Sequence, residues 1–423
     1  METLQVVVMT VLMFFIIVTV HEWGHYYFAK RAGVLVREFA IGFGPKLFSY
    51  KKDETVFTLR LLPFGGYARM AGEDPELVEI QPGQTIAIRT ANEVVKTIFV
   101  DQLDNRKNVI RGEVQSIDII DDLKIVLDVD GDIQTFNVDP KAMMSIKGQD
   151  IQIAPRNRQF NSATVGQRAL SIFAGPAMNF ILAFILCLIL VRMTGVPVEN
   201  PTGVILGQVT SDSPAQSSGL LKGDLVEKVN GTEIAGDSVK MISLIESSAG
   251  KPMEWTIERG GQEQTVTITP KANEKNVGKV GVAVEPQTRS ASFGETFSYA
   301  GERFIDMSTT ILTSLKMLIF GQFHLDDLAG PVGTIQVTTE VARQGLDSMI
   351  LWTALISTNL GIFNLLPIPA LDGSRLIFLL VEWIRRKPLE PSKEGLVHLI
   401  GFGMLFLLMI AVTYNDIVRL IKG

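Results

Sequence analysis

Residues 3–25 read TLQVVVMTVLMFFIIVTVHEWGH, and the fold turns on how this stretch is taken. No charged side chain lies between Thr3 and Val20, and Glu2 is the only charge close before His21. From Leu4 to His21 a helix rises about 26 Å at about 1.5 Å per residue, most of a bilayer's hydrocarbon thickness. A secretory leader would carry a basic start and a small-residue cleavage site; both are missing, so the stretch is expected to remain as a membrane span. Three further stretches are as long and as free of charge: between Arg168 and Arg192, between Asp347 and Asp372, and between Glu394 and Asp416. The expected fold is a polytopic α-helical membrane protein with four transmembrane helices. A fifth apolar stretch, Phe304 to Phe320, contains Asp306 and Lys316 and has an uneven apolar face, so it is expected to lie in the interface.

Composition supports this and removes other classes. Of 423 residues 47% are apolar and 20% charged, and the apolar ones are gathered into blocks. The net charge of −6, without a basic stripe, gives nucleic-acid binding no electrostatic footing. Cys187 is the single cysteine, which excludes a disulfide scaffold and a four-thiolate zinc site. Basic residues cluster after the first span (Lys30, Arg31, Arg37, Lys46, Lys51, Lys52), before the second (Arg156, Arg158, Arg168) and between third and fourth (Arg375, Arg385, Arg386, Lys387, Lys393). With four spans all three groups fall on one side, which the positive-inside rule makes the cytoplasm. The N-terminus and residues 193–346 are then extracytoplasmic.

Between the first two spans, residues 41–70 are rich in glycine and aromatics. Phe57, Leu59 and Leu61 alternate with Val56, Thr58 and Arg60, the period of a strand, so a small hairpin beside the membrane is expected. Residues 73–155 are acidic, with strand-like runs at 113–128 and 133–138, and carry no motif that assigns a chemistry. Residues 202–270 resemble a protease-associated PDZ domain through Pro214, Gly219, Leu220, Gly223, Asp224, Asn230 and Gly231. Gly260-Gly261 and Asn230-Gly231 are turn signals within it. Such a domain offers a groove beside a strand to which an extended peptide adds. Gly203, Val204, Ile205 and Leu206 are the expected groove-forming segment.

The chemistry is carried by His21-Glu22-Trp23-Gly24-His25, an H-E-x-x-H sequence. On a helix, positions i and i+4 share a face, so two imidazoles can point at one metal. Glu22 can then reach a water in the metal's open position and act as general base. A catalytic zinc takes three protein ligands as a rule. Asp372, within Asn364-Leu-Leu-Pro-Ile-Pro-Ala-Leu-Asp372-Gly373, is the candidate third, because the end of the third span returns to the depth of His21. His398 is its rival, while His324 would lie outside. Pro367 and Pro369 break the helix before Asp372, and irregular backbone at that depth is tolerated where it lines a cavity. Asn364 is thereby placed to hydrogen-bond a substrate backbone or a developing oxyanion.

Taken together, HEWGH at 21–25, GFGP at 42–45, Ala174-Gly175-Pro176 with Asn179, GPVG at 330–333 and NLLPIPALDG at 364–373 resemble the site-2 protease family of intramembrane zinc metalloproteases. More narrowly the chain is similar to the bacterial regulator-of-sigma-factor proteases that carry one PDZ domain. The resemblance implies a zinc metalloendopeptidase of the bacterial plasma membrane, with His21, His25 and Asp372 binding Zn2+ and Glu22 as base. Ser374 stands where many members have a second glycine. The implied organisation is a first span at 3–30 and a cytoplasmic β-rich region at 31–165 including a membrane-associated hairpin at 41–70. A second span at 166–193, a PDZ domain at 196–288 and a post-PDZ region at 291–346 follow, then a third span at 347–384 and a fourth at 394–416. Expected partners are the lipid bilayer and transmembrane segments of single-pass proteins already cut outside, such as anti-sigma factors, with remnant signal peptides as a further class. Thr58, Leu59 and Arg60 are expected to pair with the unwound substrate. A PDZ-bearing scaffold without catalysis would leave Glu22 idle, as would a metal-ion transporter built on the same ligands.

Overall fold

The computed structural model describes residues 2–73, 80–146, 148–273, 276–321, 329–389 and 391–422; His324 lies outside them. The chain divides into two compact units, Met1–Cys187 with Arg303–Gly423, and Leu188–Glu302.

In the first unit, α1 (Glu2–Arg31) carries the opening apolar stretch and HEWGH on one helix. Lys30 and Arg31 in its last turn complement the helix dipole. Gly33 ends it in a left-handed turn at φ 84°, with the Val34 N–H donating back to the Ala29 carbonyl. Next, β1 (Val36–Lys52) and β2 (Thr55–Met70) fold into a small sheet of four stretches. The 38–41 stretch is flanked on both sides, Phe39 opposing Ala68 on one and Phe57 on the other. Thr58 is flanked too, by Ala40 and Ser49. Residues 66–70 pair only with 36–41 among the described residues, which leaves that stretch as an open edge. The sheet's burial is inverted relative to a water-soluble one: Thr58 is 4% exposed while Leu61 is 54% and Phe48 61% exposed.

Within the first unit, residues 80–152 form a sheet with its own core. Its strands are β3 (Thr85–Ala91), β4 (Val94–Phe99), β5 (Ile110–Asp118), β6 (Lys124–Val129), β7 (Asp132–Ile146) and β8 (Gln149–Gln152), in the order β4-β3-β5-β6-β7-β8. β4 also pairs with β7, in parallel, so the sheet closes on itself around Ile86, Ile88, Val95, Ile98, Val114, Ile125 and Leu127. The expected α-helical class is corrected in proportion: with this closed sheet added to the hairpin strands and the strands of the second unit, which were expected, the chain is a mixed helix-and-strand protein.

Thr164 and Gln167 form a capping box before α2 (Val165–Thr194), each side chain accepting the other's backbone N–H. In the second unit, α3 (Pro214–Ser217) and α4 (Ser238–Glu246) pack on a sheet in the order 262–268, 253–259, 225–229, 204–209, 282–285. Trp255, Leu206, Val226 and Met241 form its core. Gly260 and Gly261, at φ 60° and 79°, make the hairpin turn expected of them. Val204–Val209 is an inner strand: Ile205 opposes Leu225 on one side and Glu285 on the other. A strand with both flanks occupied cannot accept a peptide, so the edge next to it is Val282–Glu285, and Gly203 to Leu206 serve the core.

The remaining helices are α5 (Phe293–Ile319), α6 (Pro331–Gln344), α7 (Leu346–Asn364), α8 (Asp372–Arg385) and α9 (Pro391–Lys422). Among the described residues four helices are long and apolar enough to cross a membrane: Leu4–Arg31, Val165–Thr194, Leu346–Asn364 and Lys393–Ile421. The third stretch is interrupted: α7 stops at Asn364 and the chain resumes as helix at Asp372. Between α6 and α9 the GPVG sequence finds its reason. Asp416, 3% exposed, accepts the N–H groups of Gly330 at 3.2 Å and Gly333 at 2.8 Å, capping α6 from another helix. A Cβ on either glycine would sit 2.7 and 2.9 Å from that carboxylate. The α6 residue Ala342 packs in turn with Met13 and Ile17 of α1. Asp416→Ala leaves both donors without their acceptor and should cost about 2–4 kcal/mol, read as a lowered unfolding temperature in detergent, with Asp416→Asn intermediate.

Candidate metal centre

HEWGH lies within the last three turns of α1, where helix spacing stacks His21 on His25. Their rings meet edge to face at 4.8 Å, with the two Nε2 atoms 3.2 Å apart. Asp372 begins α8 and brings Oδ2 to 3.4 Å from each Nε2. The three donor atoms therefore form a nearly equilateral triangle. A tetrahedral zinc with bonds of about 2.0–2.1 Å has ligand-to-ligand edges of about 3.3–3.4 Å, so the triangle fits one face of such a site. Asp372 Oδ2 is buried and has no hydrogen-bond partner among the described residues, the state of an oxygen reserved for a cation. These three are the metal-holding group among the described residues. Both histidines and Glu22 are 8% exposed.

The imidazoles are oriented from α2. His25 Nδ1 lies 2.9 Å from the Ser171 carbonyl, so Nδ1 carries the proton and Nε2 is free for metal. The Asn179 amide lies 3.1 Å from His21 Nδ1. With Nε2 turned to the metal, Nδ1 is a donor and the amide must present its oxygen, which is otherwise buried without a partner. Ser357 of α7 holds Asn179 in turn, donating to its carbonyl at 2.9 Å. This explains the AGP…N motif. A Cβ on Gly24 would come within 2.3 Å of the Ala174 carbonyl, and one on Gly175 within 2.2 Å of His25 Nε2. Both glycines let α1 and α2 approach closely enough for these bonds.

A cavity of about 670 Å³ opens on the triangle, lined by His21, Glu22, His25, Asn364, Asp372 and the 66–70 edge. Gly66 stands against Glu22, where a Cβ would lie 2.9 Å from Glu22 Cγ. Asn364, the last residue of α7, thus shares the chamber with the expected base and ligands. Thr58, Leu59 and Arg60 do not line it; they sit inside the sheet, where Thr58 donates to Glu38 at 2.8 Å. Arg60 donates to the Tyr67 hydroxyl at 2.7 Å and reaches Glu38 at 3.2 Å. Burial pushes the Glu38 carboxyl up, but hydrogen bonds from Thr58 and Tyr67, with Lys46 and Arg60, outweigh it and hold it below the usual carboxylate range. Burial and the Glu38 charge push the Tyr67 phenol up. The network rivets the open edge to its neighbours.

Two further groups escaped the sequence reading. Glu73 forms an ion pair with Arg375, one turn into α8 from Asp372, and the Arg375 guanidinium lies over the Phe160 ring at 5.6 Å. Both charges line the chamber. Nothing in their local sequence signals the pair, because 302 positions separate them.

Comparison with known proteins agrees with this geometry. Residues 9–408 match peptidase family M50. The chain is 43% identical to a protein named zinc metalloprotease RasP from Oceanobacillus iheyensis, over 98% of this chain and 99% of that one. It is 41% identical to the regulator of sigma-W protease RasP of Bacillus subtilis, over 98% of each. Among solved structures, the PDZ domain of an SdrC-like protein from Listeria monocytogenes matches at 24% identity, covering 21% of this chain and 93% of that one, with a TM-score of 0.19. Two histidines and a carboxylate held at tetrahedral spacing beside a buried glutamate, in a chain matched over nearly its whole length, lead to one assignment: this protein belongs to peptidase family M50, the site-2 proteases, and is a zinc metalloprotease.

Proposed function

We propose that the enzyme hydrolyses peptide bonds within transmembrane segments of single-pass proteins whose outer portion has already been removed, with anti-sigma factors as the leading class and remnant signal peptides as a second. The observation that carries this is one chamber shared by the donor triangle, Glu22, Asn364 and an open strand edge, at the ends of helices able to span a membrane.

A helical substrate engages its own carbonyls in i to i−4 hydrogen bonds, so it must unwind before it can be cut. The 66–70 edge offers unpaired backbone groups to the unwound stretch, in the manner of strand addition. Asn364 then holds a substrate carbonyl from the opposite element. Zinc bound by His21, His25 and Asp372 would acidify a water and polarise the scissile carbonyl. The Glu22 carboxylate takes the proton from that water and returns it to the leaving amine. Exposed Phe43, Leu47, Phe48, Tyr50, Leu59, Leu61 and Leu62 suit a sheet that lies against lipid. The proposed orientation puts the N-terminus and the PDZ-like unit outside a bacterial plasma membrane and the chamber toward the cytoplasm, the side of the basic loops. The PDZ-like unit would screen the outer portions of substrates.

The test is Glu22→Gln in proteoliposomes with a single-pass substrate, trimmed or untrimmed outside. Glutamine cannot take the proton, so cleavage should fall by about 10²–10⁴-fold while zinc content stays. Retained cleavage in this variant, or equal cutting of the untrimmed parent, would exclude the proposal.

A further inference from the structure

His398, the histidine that rivalled Asp372 as a ligand in the sequence, has been given other work. Its Nδ1 accepts the backbone N–H of Ala370 at 3.1 Å. Ala370 stands two residues before Asp372 and has φ +77°, a left-handed conformation that an L side chain adopts at a cost. The loop's other bonds are short-range: Ser374 donates through its N–H and its hydroxyl to the Leu371 carbonyl. Pro367 and Pro369 lack N–H groups, and the Ile368 and Leu371 N–H groups donate only within the loop, to Leu366 and Ile368.

The approach of α9 to this loop is as close as the residues permit. Gly401 lies three positions after His398, on the same helix face, and a Cβ there would meet Pro369 Cβ at 2.2 Å and its carbonyl oxygen at 2.6 Å. Because Nδ1 accepts, the ring proton is on Nε2, which faces Glu394 Oε1 at 3.8 Å one turn earlier. The Phe378 ring of α8 closes on the imidazole edge to face at 5.5 Å. The ring is thus fixed in place and in tautomer.

We infer that His398 is a positioning residue for the metal centre: by accepting the Ala370 N–H it holds that residue left-handed, and so aims Asp372 at His21 and His25. The inference rests on the metal-centre reading given above. It differs from a packing role, because it requires an acceptor at the Nδ1 position rather than an aromatic ring.

The experiment uses the full chain in nanodiscs with four variants: His398→Phe, His398→Asn, Ala370→Gly, and His398→Phe combined with Ala370→Gly. Zinc half-life against excess chelator is measured, together with kcat, KM and the unfolding temperature. His398→Phe keeps the ring and loses the acceptor. It should release zinc at least about 10-fold faster and lower kcat by about 10–100-fold, with KM and unfolding temperature near wild type. His398→Asn, whose amide oxygen falls near the Nδ1 position, should return within about 3-fold of wild type. Adding Ala370→Gly to His398→Phe should recover part of the loss, since glycine takes positive φ unaided. The inference fails if His398→Phe holds zinc as the wild type does, if His398→Asn is as impaired as His398→Phe, or if the losses follow the unfolding temperature. A wild-type chain that binds no zinc would overturn the metal-centre reading itself, and this inference with it.

Discussion

Gly175→Ala is expected to abolish zinc binding and reduce cleavage by at least about 10³-fold, although the change adds one methyl group inside a helix. The added Cβ would lie 2.2 Å from His25 Nε2 and 2.5 Å from Cε1, well inside contact distance. The ring cannot turn aside cheaply, because Nδ1 is bonded to the Ser171 carbonyl on the same helix as Gly175. Nor can α1 retreat without opening the Gly24 contact with Ala174. Alanine favours helix over glycine by about 1 kcal/mol, which offsets only part of an overpacking cost of about 1–3 kcal/mol, so the unfolding temperature should fall modestly while the centre is lost. Zinc content of purified protein separates these effects. Gly166→Ala, on the same helix with nothing within 4 Å of its new methyl, is the control and should leave zinc and activity unchanged.

Asp372→Ala should have a comparable effect for a different reason. It deletes the only carboxylate of the donor triangle and leaves two imidazoles that cannot complete a catalytic zinc site. Metal affinity should fall by at least about 10³-fold, beyond the roughly 10–100-fold of losing an outer hydrogen-bond partner such as Asn179. Competition with a fluorescent chelator measures this directly. Asp372→Asn keeps an oxygen but no charge and should recover only a small part. An Asp372→Ala protein that kept wild-type zinc affinity would show that the triangle is not the site.

The sequence made these ligands legible because their spacing is local. HEWGH needs only the i to i+4 geometry of one helix, and the prolines before Asp372 mark a broken helix wherever they occur. The groups behind the ligands were not legible in the same way. Asn179, Ser171 and the Glu73–Arg375 pair act across elements, and the AGP motif discloses its purpose only when α1 lies against it. The strand edges show a systematic difficulty. Alternation pointed to Thr58–Arg60 and the PDZ resemblance to Gly203–Leu206, yet Thr58–Arg60 and Val204–Leu206 lie on inner strands. Alternation reports burial on a sheet, and burial is greatest in its middle. The open edges, 66–70 and 282–285, lie beside Gly65 and Gly66 and after Gly281, residues that read as turns. The closed sheet of residues 80–152 was missed as a fold because its closing pair, β4 with β7, joins residues more than forty positions apart.

The inverted sheet at 36–70 also bears on how this protein can be handled outside its membrane. A detergent collar fitted to the helices alone would leave Leu47, Phe48, Leu61 and Leu62 wetted, and two such molecules would adhere through those faces. Amphiphiles with bulky tails, or a lipid disc broad enough to seat the sheet as well, should therefore keep the purified chain monodisperse where short-tailed surfactants allow it to clump.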